Sequence, residues 1–312
     1  MKKFIKTLAM VAVIGLSFCG CANTAKPNEK PHIGISIPNA DHNWLDAVDY
    51  YANQAGTNYD VNCDIRKAGD ANEQAKQVEE LIKQKCDVII LLPTDNSDIA
   101  AKKVIEAKIP LINFDRKVEV DSTVYLSGDN TGIGRNAAEY FNKVLNGKGN
   151  VVIINQPTSG TVNTQRIGAF KEKLKEYPEL VLLEEYSVNS YTKANGKTVM
   201  NEILKKNSQI DAVFTADDEL TLGALEAINE AKRTEIKAIC GGGGAKELFN
   251  QMRNSKIAIA SPQYSPSMIS ECVKIANDMV RTGKTFDKVI TIPSNVVDKS
   301  NVDNFYNENS PY

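Results

Sequence analysis

The feature that most constrains this chain is an alternation that occurs twice. From residue 32 onward, short apolar runs alternate with amphipathic stretches, the pattern of βαβ units and a parallel sheet. In the first half the spacing predicts strands at 32–37, 59–66, 87–92, 110–114 and 123–127, with helices at 43–56, 70–85 and 97–107. Right-handed crossovers put such helices on both faces of one sheet. The pattern restarts after residue 130. Strands at 150–155, 180–187, 211–215, 236–240 and 257–260 alternate there with helices at 130–146, 162–176, 191–206, 217–231 and 245–254. A helix at 265–282 and one more apolar segment at 288–297 follow. The expected fold class is α/β, in two lobes of one kind. No charged or Gly/Ser-rich linker separates the halves, so short ordered crossings of the hinge type are expected to join them.

The first 20 residues stand outside this pattern. Lys2, Lys3 and Lys6 precede an apolar stretch from Leu8 to Phe18, shorter than the roughly 20 residues that span a bilayer. A small residue, Gly20, lies immediately before Cys21, so the segment reads as a secretory leader whose ending resembles the lipobox of bacterial lipoproteins. That resemblance implies cleavage before Cys21 and a lipid on its thiol, hence an extracytoplasmic, membrane-anchored protein. Residues 21–31 are polar and proline-bearing, as a flexible tether would be. Loss of the three leader lysines takes the formal net charge from −2 to −5. A mildly acidic chain without a basic cluster argues against nucleic acid as a partner. Cys63, Cys86, Cys240 and Cys272 show no metal-ligand spacing and lie in or beside apolar runs, so they read as small buried thiols. No disulfide pairing follows from their positions.

Polar residues gather where strands end. Ile33, Ile35 and Ile37 mark a buried strand, which Pro38, Asn39, Asp41, His42 and Asn43 bring to a stop. Trp44, the only tryptophan, then opens a helix with Leu45, Val48, Tyr51 and Ala52 at helical spacing. In open α/β sheets the junction after a strand's carboxyl end is where ligands bind. Pro93, Thr94, Asp95, Asp115 and Arg116 follow later strands of the first half. The second half offers Asp129, Asn130, Thr161 to Arg166, Ser190, Tyr191, Asp217, Asp218, the run Gly241–Gly244, Gln263 and Tyr264. A carboxylate accepts from adjacent hydroxyls and a guanidinium donates in a planar fork, so Asp115, Arg116 and Arg166 suit sugar hydroxyls. Trp44 and Tyr191 suit the C–H faces of a pyranose. The bland alternatives are a surface ion pair for Asp115 and Arg116, a core anchor for Trp44 and a helix cap for Asp217.

Five segments carry a family resemblance: LLPTDNSDI, PLINFDRK, YLSGDNTGIGRNAAEY, QRIGAF and AVFTADDELTLGALEAI. In order, over residues 32 to about 292, they resemble the motifs of the periplasmic sugar-binding proteins of the ribose-binding type, the type I periplasmic binding proteins. The resemblance implies two Rossmann-like lobes with parallel sheets, joined by a three-crossing hinge and closing on a sugar for delivery to an ABC permease. It also implies an N-terminal lobe of 32–129 plus 264–292 and a C-terminal lobe of 130–263 plus 293–312. Carried over by position, it points to Asn43 and Trp44, Asp115 and Arg116 on ring hydroxyls, Arg166 from the second lobe, Tyr191 as an aromatic wall, Asp217 as an acceptor and Gln263 near the last hinge. The chain departs from the ribose binders at Leu92, where they carry asparagine, and at Gly241-Gly242, in place of their Phe-Asp pair. These changes leave room for a different or larger sugar.

Other classes fare worse. A sensor would present the same closed lobes to a membrane histidine kinase or chemoreceptor. A repressor sharing this core needs a DNA-binding headpiece where this chain has its leader. Gly132-Ile-Gly134 only faintly resembles a dinucleotide loop, Asp217 and Asp218 are adjacent and point apart on a helix, and no Walker A, HExxH, GxSxG or EF-hand sequence occurs. The expected protein is a monomeric binder with no cofactor or metal and no catalytic residues.

Overall fold

The structure, a computed structural model, describes residues 29–39, 43–95 and 97–312. The leader, Cys21 and Asp41 lie outside the described residues. The first half runs β1 (His32–Pro38), α1 (Asn43–Asn58), β2 (Asn62–Ala68), α2 (Ala71–Lys83), β3 (Val88–Leu91), α3 (Ile99–Glu106), β4 (Leu111–Phe114) and β5 (Val124–Gly128). The second runs α4 (Asn130–Val144), β6 (Gly149–Asn155), α5 (Thr161–Leu174), β7 (Leu180–Ser187), α6 (Lys193–Lys206), β8 (Ala212–Thr215), α7 (Asp218–Glu230), β9 (Ala238–Cys240), α8 (Lys246–Asn254) and β10 (Ala258–Pro262). Then come α9 (Met268–Thr282), β11 (Val289–Ile292) and β12 (Val296–Asp298).

Two six-stranded sheets result among the described residues. The first has the order β11-β5-β4-β3-β1-β2 with every pairing parallel. The second has the order β12-β10-β9-β8-β6-β7 and is parallel except for β12, which runs antiparallel to β10. Helices cover both faces, so central strands such as β3 and β4 are buried throughout, as their unbroken apolar sequences require. Helix starts follow their caps. The Asp70 side chain accepts from the Glu73 amide at 2.8 Å ahead of α2, and the Asp129 carboxylate accepts from the Gly132 amide at 2.8 Å ahead of α4.

The apolar segment 288–297, which reads as one element in sequence, is two strands on two sheets. Pro293 has no amide hydrogen to continue a ladder, and the chain crosses there from one lobe to the other. Together with the crossings from β5 to α4 and from β10 to α9, this makes three passages between the lobes. Hydrogen bonds tie them side by side. The Asp129 amide donates to the Ile292 carbonyl at 3.0 Å, Asn136 Nδ2 to the Ser294 carbonyl at 2.6 Å and the Gln263 amide to the Asn295 carbonyl at 2.8 Å.

Gly134 has a packing role. A Cβ there would run into the Arg166 carbonyl and the Phe170 amide nitrogen, so glycine lets α4 lie directly on α5 and sets where Arg166 stands. The four cysteines among the described residues are free; Cys86, Cys240 and Cys272 are buried and Cys63 is half-buried. No helix among the described residues is long and apolar enough to cross a membrane.

Candidate ligand-binding site

The three crossings leave from the carboxyl ends of β5, β10 and β11, so strand ends of both sheets adjoin the junction, and one residue of a crossing joins the two sides. Tyr264 follows β10 and is nearly buried against Gly128, whose lack of a side chain makes room for the ring. Its hydroxyl donates to Asp115 Oδ1 of the first lobe at 2.5 Å. The Arg166 guanidinium of the second lobe lies 5.2 Å from its ring centroid, in cation–π range. Its carbonyl accepts from Trp44 Nε1 at 2.8 Å, and the indole lies 6.1 Å from its ring. Burial and the Asp115 carboxylate push the Tyr264 phenol well above its usual range, so it is a donor.

On the first-lobe side, Asp115 follows β4 with φ 62°, a left-handed conformation that aspartate tolerates better than most residues. Its carbonyl accepts from the Tyr125 hydroxyl at 2.9 Å and its amide donates to Leu126 at 2.8 Å, so the backbone is held from both sides. Trp44 stacks on Phe114 at 6.3 Å with 14° between planes, which fixes the indole at the start of α1. Asn43 is the first residue of α1 and is exposed. Arg116 is exposed too. Its Nη1 donates to the carbonyls of Thr94 at 2.5 Å and Pro93 at 3.2 Å, so the guanidinium braces the loop after β3.

The second-lobe side is buried and already bonded. Arg166, 5% exposed, donates through Nε to Asn130 Oδ1 at 2.9 Å and through Nη1 to the Ala216 carbonyl at 2.7 Å and the Gly242 carbonyl at 3.4 Å. Asp217 Oδ2 lies 3.9 Å from the same guanidinium, while Asp217 Oδ1 caps α7 by accepting from the Glu219 amide at 2.9 Å. Burial raises the Asp217 carboxyl to about 7 against the pull of Arg166. Asp218, fully buried, accepts through Oδ2 from the amides of Gly244 and Ala245 and from Ser261 Oγ, at 2.7, 2.9 and 2.6 Å. It is the clamp that shapes the glycine turn. Tyr191 closes one flank, half-buried, its hydroxyl 2.7 Å from Ser159 Oγ. Gln263 sits beside Gly244 at the second crossing, where it lines a groove of about 370 Å³ with Ser265, Met268 and Asn295.

Of the residues singled out in sequence, Trp44, Asp115, Arg166 and Asp217 thus share one connected set. Asn43, Arg116, Tyr191 and Gln263 stand around it. Asp217 does cap its helix, and Trp44 does anchor α1, without leaving the site. Tyr264, Asn130 and Asp218 mark strand ends in the sequence but show no role there. Spacing alone does not reveal that a crossing residue would bridge both lobes, or that Asp218 would fold back on the glycine run. Among the described residues, no group of three His, Cys, Asp or Glu side chains is placed to hold a metal ion.

Two α/β lobes, three crossings and a polar set at the junction define a hinged binding protein. The chain belongs to the periplasmic binding protein domain family, whose sequence profile matches residues 33–285. It is similar to the xylitol-binding protein of Mycolicibacterium smegmatis, with 28% identity over 93% of this chain and 83% of that protein. The ribose import binding protein of Bacillus subtilis is 26% identical over 94% of this chain and 98% of its own length. Among solved structures, a periplasmic solute-binding protein of an ABC transporter from Actinobacillus succinogenes, with bound D-allose, superposes with a TM-score of 0.78. It has 22% identity over 88% of this chain and all of that one. The family is one of binding proteins, so the polar set is read as a site for holding a solute and not for transforming it.

Proposed function

We propose that this protein is the extracytoplasmic sugar-binding component of an ABC importer. It captures a monosaccharide or short oligosaccharide between its lobes and hands it to the permease in the membrane. The observation that carries this reading is the Asp115–Tyr264–Arg166 set, in which a carboxylate of one lobe and a guanidinium of the other meet on a hinge tyrosine. Such groups pair with hydroxyls as acceptor and donor, while Trp44 offers an apolar face. Relatives named for xylitol, ribose and fructose support a polyol or sugar as the solute.

In this mechanism Asp115, Arg116, Asn43, Trp44 and Asp41 bind from the first lobe, and Arg166, Tyr191, Asp217 and Gln263 from the second. Sugar contacts made from both sides stabilise the closed arrangement, which is the form the permease receives, so affinity and closure are one free-energy balance. Enclosure with several charge-assisted hydrogen bonds suits low-micromolar binding, about −8 kcal/mol. A lipid on Cys21 tethers the monomer to the membrane through residues 22–31.

Tryptophan fluorescence tests the reading, because Trp44 is the single source of signal. Titration with D-ribose, D-xylose, xylitol, D-fructose, D-allose, myo-inositol and short oligosaccharides is expected to give a saturable change with one of them. No response to any, with no heat by calorimetry, overturns the sugar assignment. Cys21→Ser is expected to move the protein from the membrane fraction to the soluble one.

A further inference from the structure

Residues 299–312 run from β12 back toward the cleft. The turn Val302–Asn304 buries Val302 in the second-lobe core. Arg253 of α8 holds this segment by an ion pair to Asp303 at 2.9 Å and by lying 4.2 Å from the Tyr306 ring centroid. Lys246 Nζ donates to the carbonyls of Glu308, at 3.3 Å, and Ser310. Between these anchors Asn307 reaches the other lobe, where its Nδ2 donates to the Tyr51 hydroxyl of α1 at 3.0 Å. Ser310 Oγ then accepts from the Tyr312 amide at 3.2 Å and donates to the Tyr312 carbonyl oxygen at 2.7 Å, which aims the ring inward.

Tyr312 is 9% exposed and packs in the second-lobe core. Its hydroxyl oxygen stands where the Cβ of any residue but glycine would be at position 243, so the phenol reaches the backbone of the glycine turn. Among the described residues this hydroxyl has no hydrogen-bond partner, whereas the backbone around it is paired. Burial, Asp217 and Asp218 push the phenol well above its usual range, so it is a proton donor at neutral pH. The carboxylate of Asp218, which clamps the glycine turn, lies beside the same place: its Oδ2 is 3.4 Å from where a Gly243 Cβ would stand. The hydroxyl is not sealed from solvent, so a bound solute with a hydroxyl at this place would exchange water for a direct hydrogen bond, worth about 0.5–1.5 kcal/mol.

We infer that Tyr312 is a specificity-determining residue of the sugar site: Gly241–Gly244 presents no side chain, and the Tyr312 hydroxyl, delivered there by residues 299–312, donates a hydrogen bond to one hydroxyl of the bound sugar. This rests on the sugar reading above. The glycines are then the condition for the arrangement, since a side chain on Gly243 would expel the phenol.

Calorimetry on the sugar panel with wild type and Tyr312→Phe tests it. The sugar that wild type binds best is expected to bind Tyr312→Phe about tenfold more weakly, with the thermal midpoint unchanged. One monodeoxy analogue of that sugar is expected to bind both proteins alike, which a merely structural role for Tyr312 would not produce. Equal affinity of both proteins for every sugar overturns this inference and leaves the sugar assignment standing. A loss spread evenly over all deoxy analogues also overturns it. Failure of wild type to bind any sugar overturns both. Should Tyr312→Phe melt early, wild type carrying 13Cζ-labelled tyrosine gives a second reading. The Tyr312 resonance is expected to shift on saturation with the sugar, and an unmoved resonance overturns the inference.

Discussion

The two sides of the cleft are built differently. On the second lobe Arg166, Asn130 and Asp218 are almost wholly buried, and each is bonded to its own lobe. On the first lobe Arg116 and Asn43 are exposed, and Asp115 and Trp44 are half-buried, with Asp115 and Trp44 both reaching for Tyr264 at the crossing. One half-site is preorganised inside a lobe, and the other is assembled through the hinge. Preorganised groups lose little freedom on binding, so the second lobe is expected to act as the docking face and the first as the closing face.

That contrast can be broken by substitution. Arg166→Ala leaves Asn130 Oδ1 and two carbonyls without their donor inside the second lobe. It is expected to lower folding stability by about 3 kcal/mol in a denaturant titration and to abolish sugar binding. Arg166→Lys should recover little of either, because an ammonium cannot fork to Asn130 and Ala216 together. Asp115→Asn is the first-lobe counterpart. Asparagine tolerates the left-handed backbone, so the thermal midpoint should stay within about 3 °C, while affinity falls about 30-fold for want of a charged acceptor. If Asp115→Asn unfolds the protein as readily as Arg166→Ala, the two sides are not different in kind.

Smaller effects sharpen the comparison. Asp217, raised to about 7 by burial, is largely protonated at pH 6 and gains its acceptor charge as pH rises through neutrality. Sugar affinity should therefore increase from pH 5.5 to 8 by up to about tenfold, and Asp217→Asn should flatten the profile. Stability moves the other way. A raised folded value contributes stability that is complete below the unfolded value of 3.8 and is lost as pH rises through about 7. Thermal midpoints measured across that window, wild type against Asp217→Asn, check the sign. Trp44→Phe removes the hydrogen bond to the Tyr264 carbonyl while keeping an aromatic on Phe114. The expected loss is about 1 kcal/mol of binding, read by calorimetry.

Much of this arrangement is legible in the sequence because it is local. Ile33, Ile35 and Ile37 announce β1, and the polar residues after each strand announce one end of the sheets. Trp44, Asp115, Arg166 and Asp217 are singled out this way. What escapes is set by distance along the chain. Tyr264 meets Asp115 149 positions away, Asp218 meets Gly244 26 positions on, and Tyr312 meets Gly243 only because residues 299–312 double back. The split of 288–297 into two strands is hidden for the same reason, since a run of apolar residues does not say which sheet it joins. Gly134 bears only a faint likeness to a dinucleotide loop in the sequence, and its packing role shows once α5 lies on it.

The division of β11 and β12 between the two sheets bears on how the chain is made. The β5 edge of the first sheet waits for Val289–Ile292, and the β10 edge of the second waits for Val296–Asp298. Neither half can complete its sheet until nearly 300 residues have been synthesised, and α9 must return to α1 as well. Contacts so far apart in sequence form slowly. The two sheets therefore reach their full strand number only when the last segments of the chain are in place, and both halves finish together.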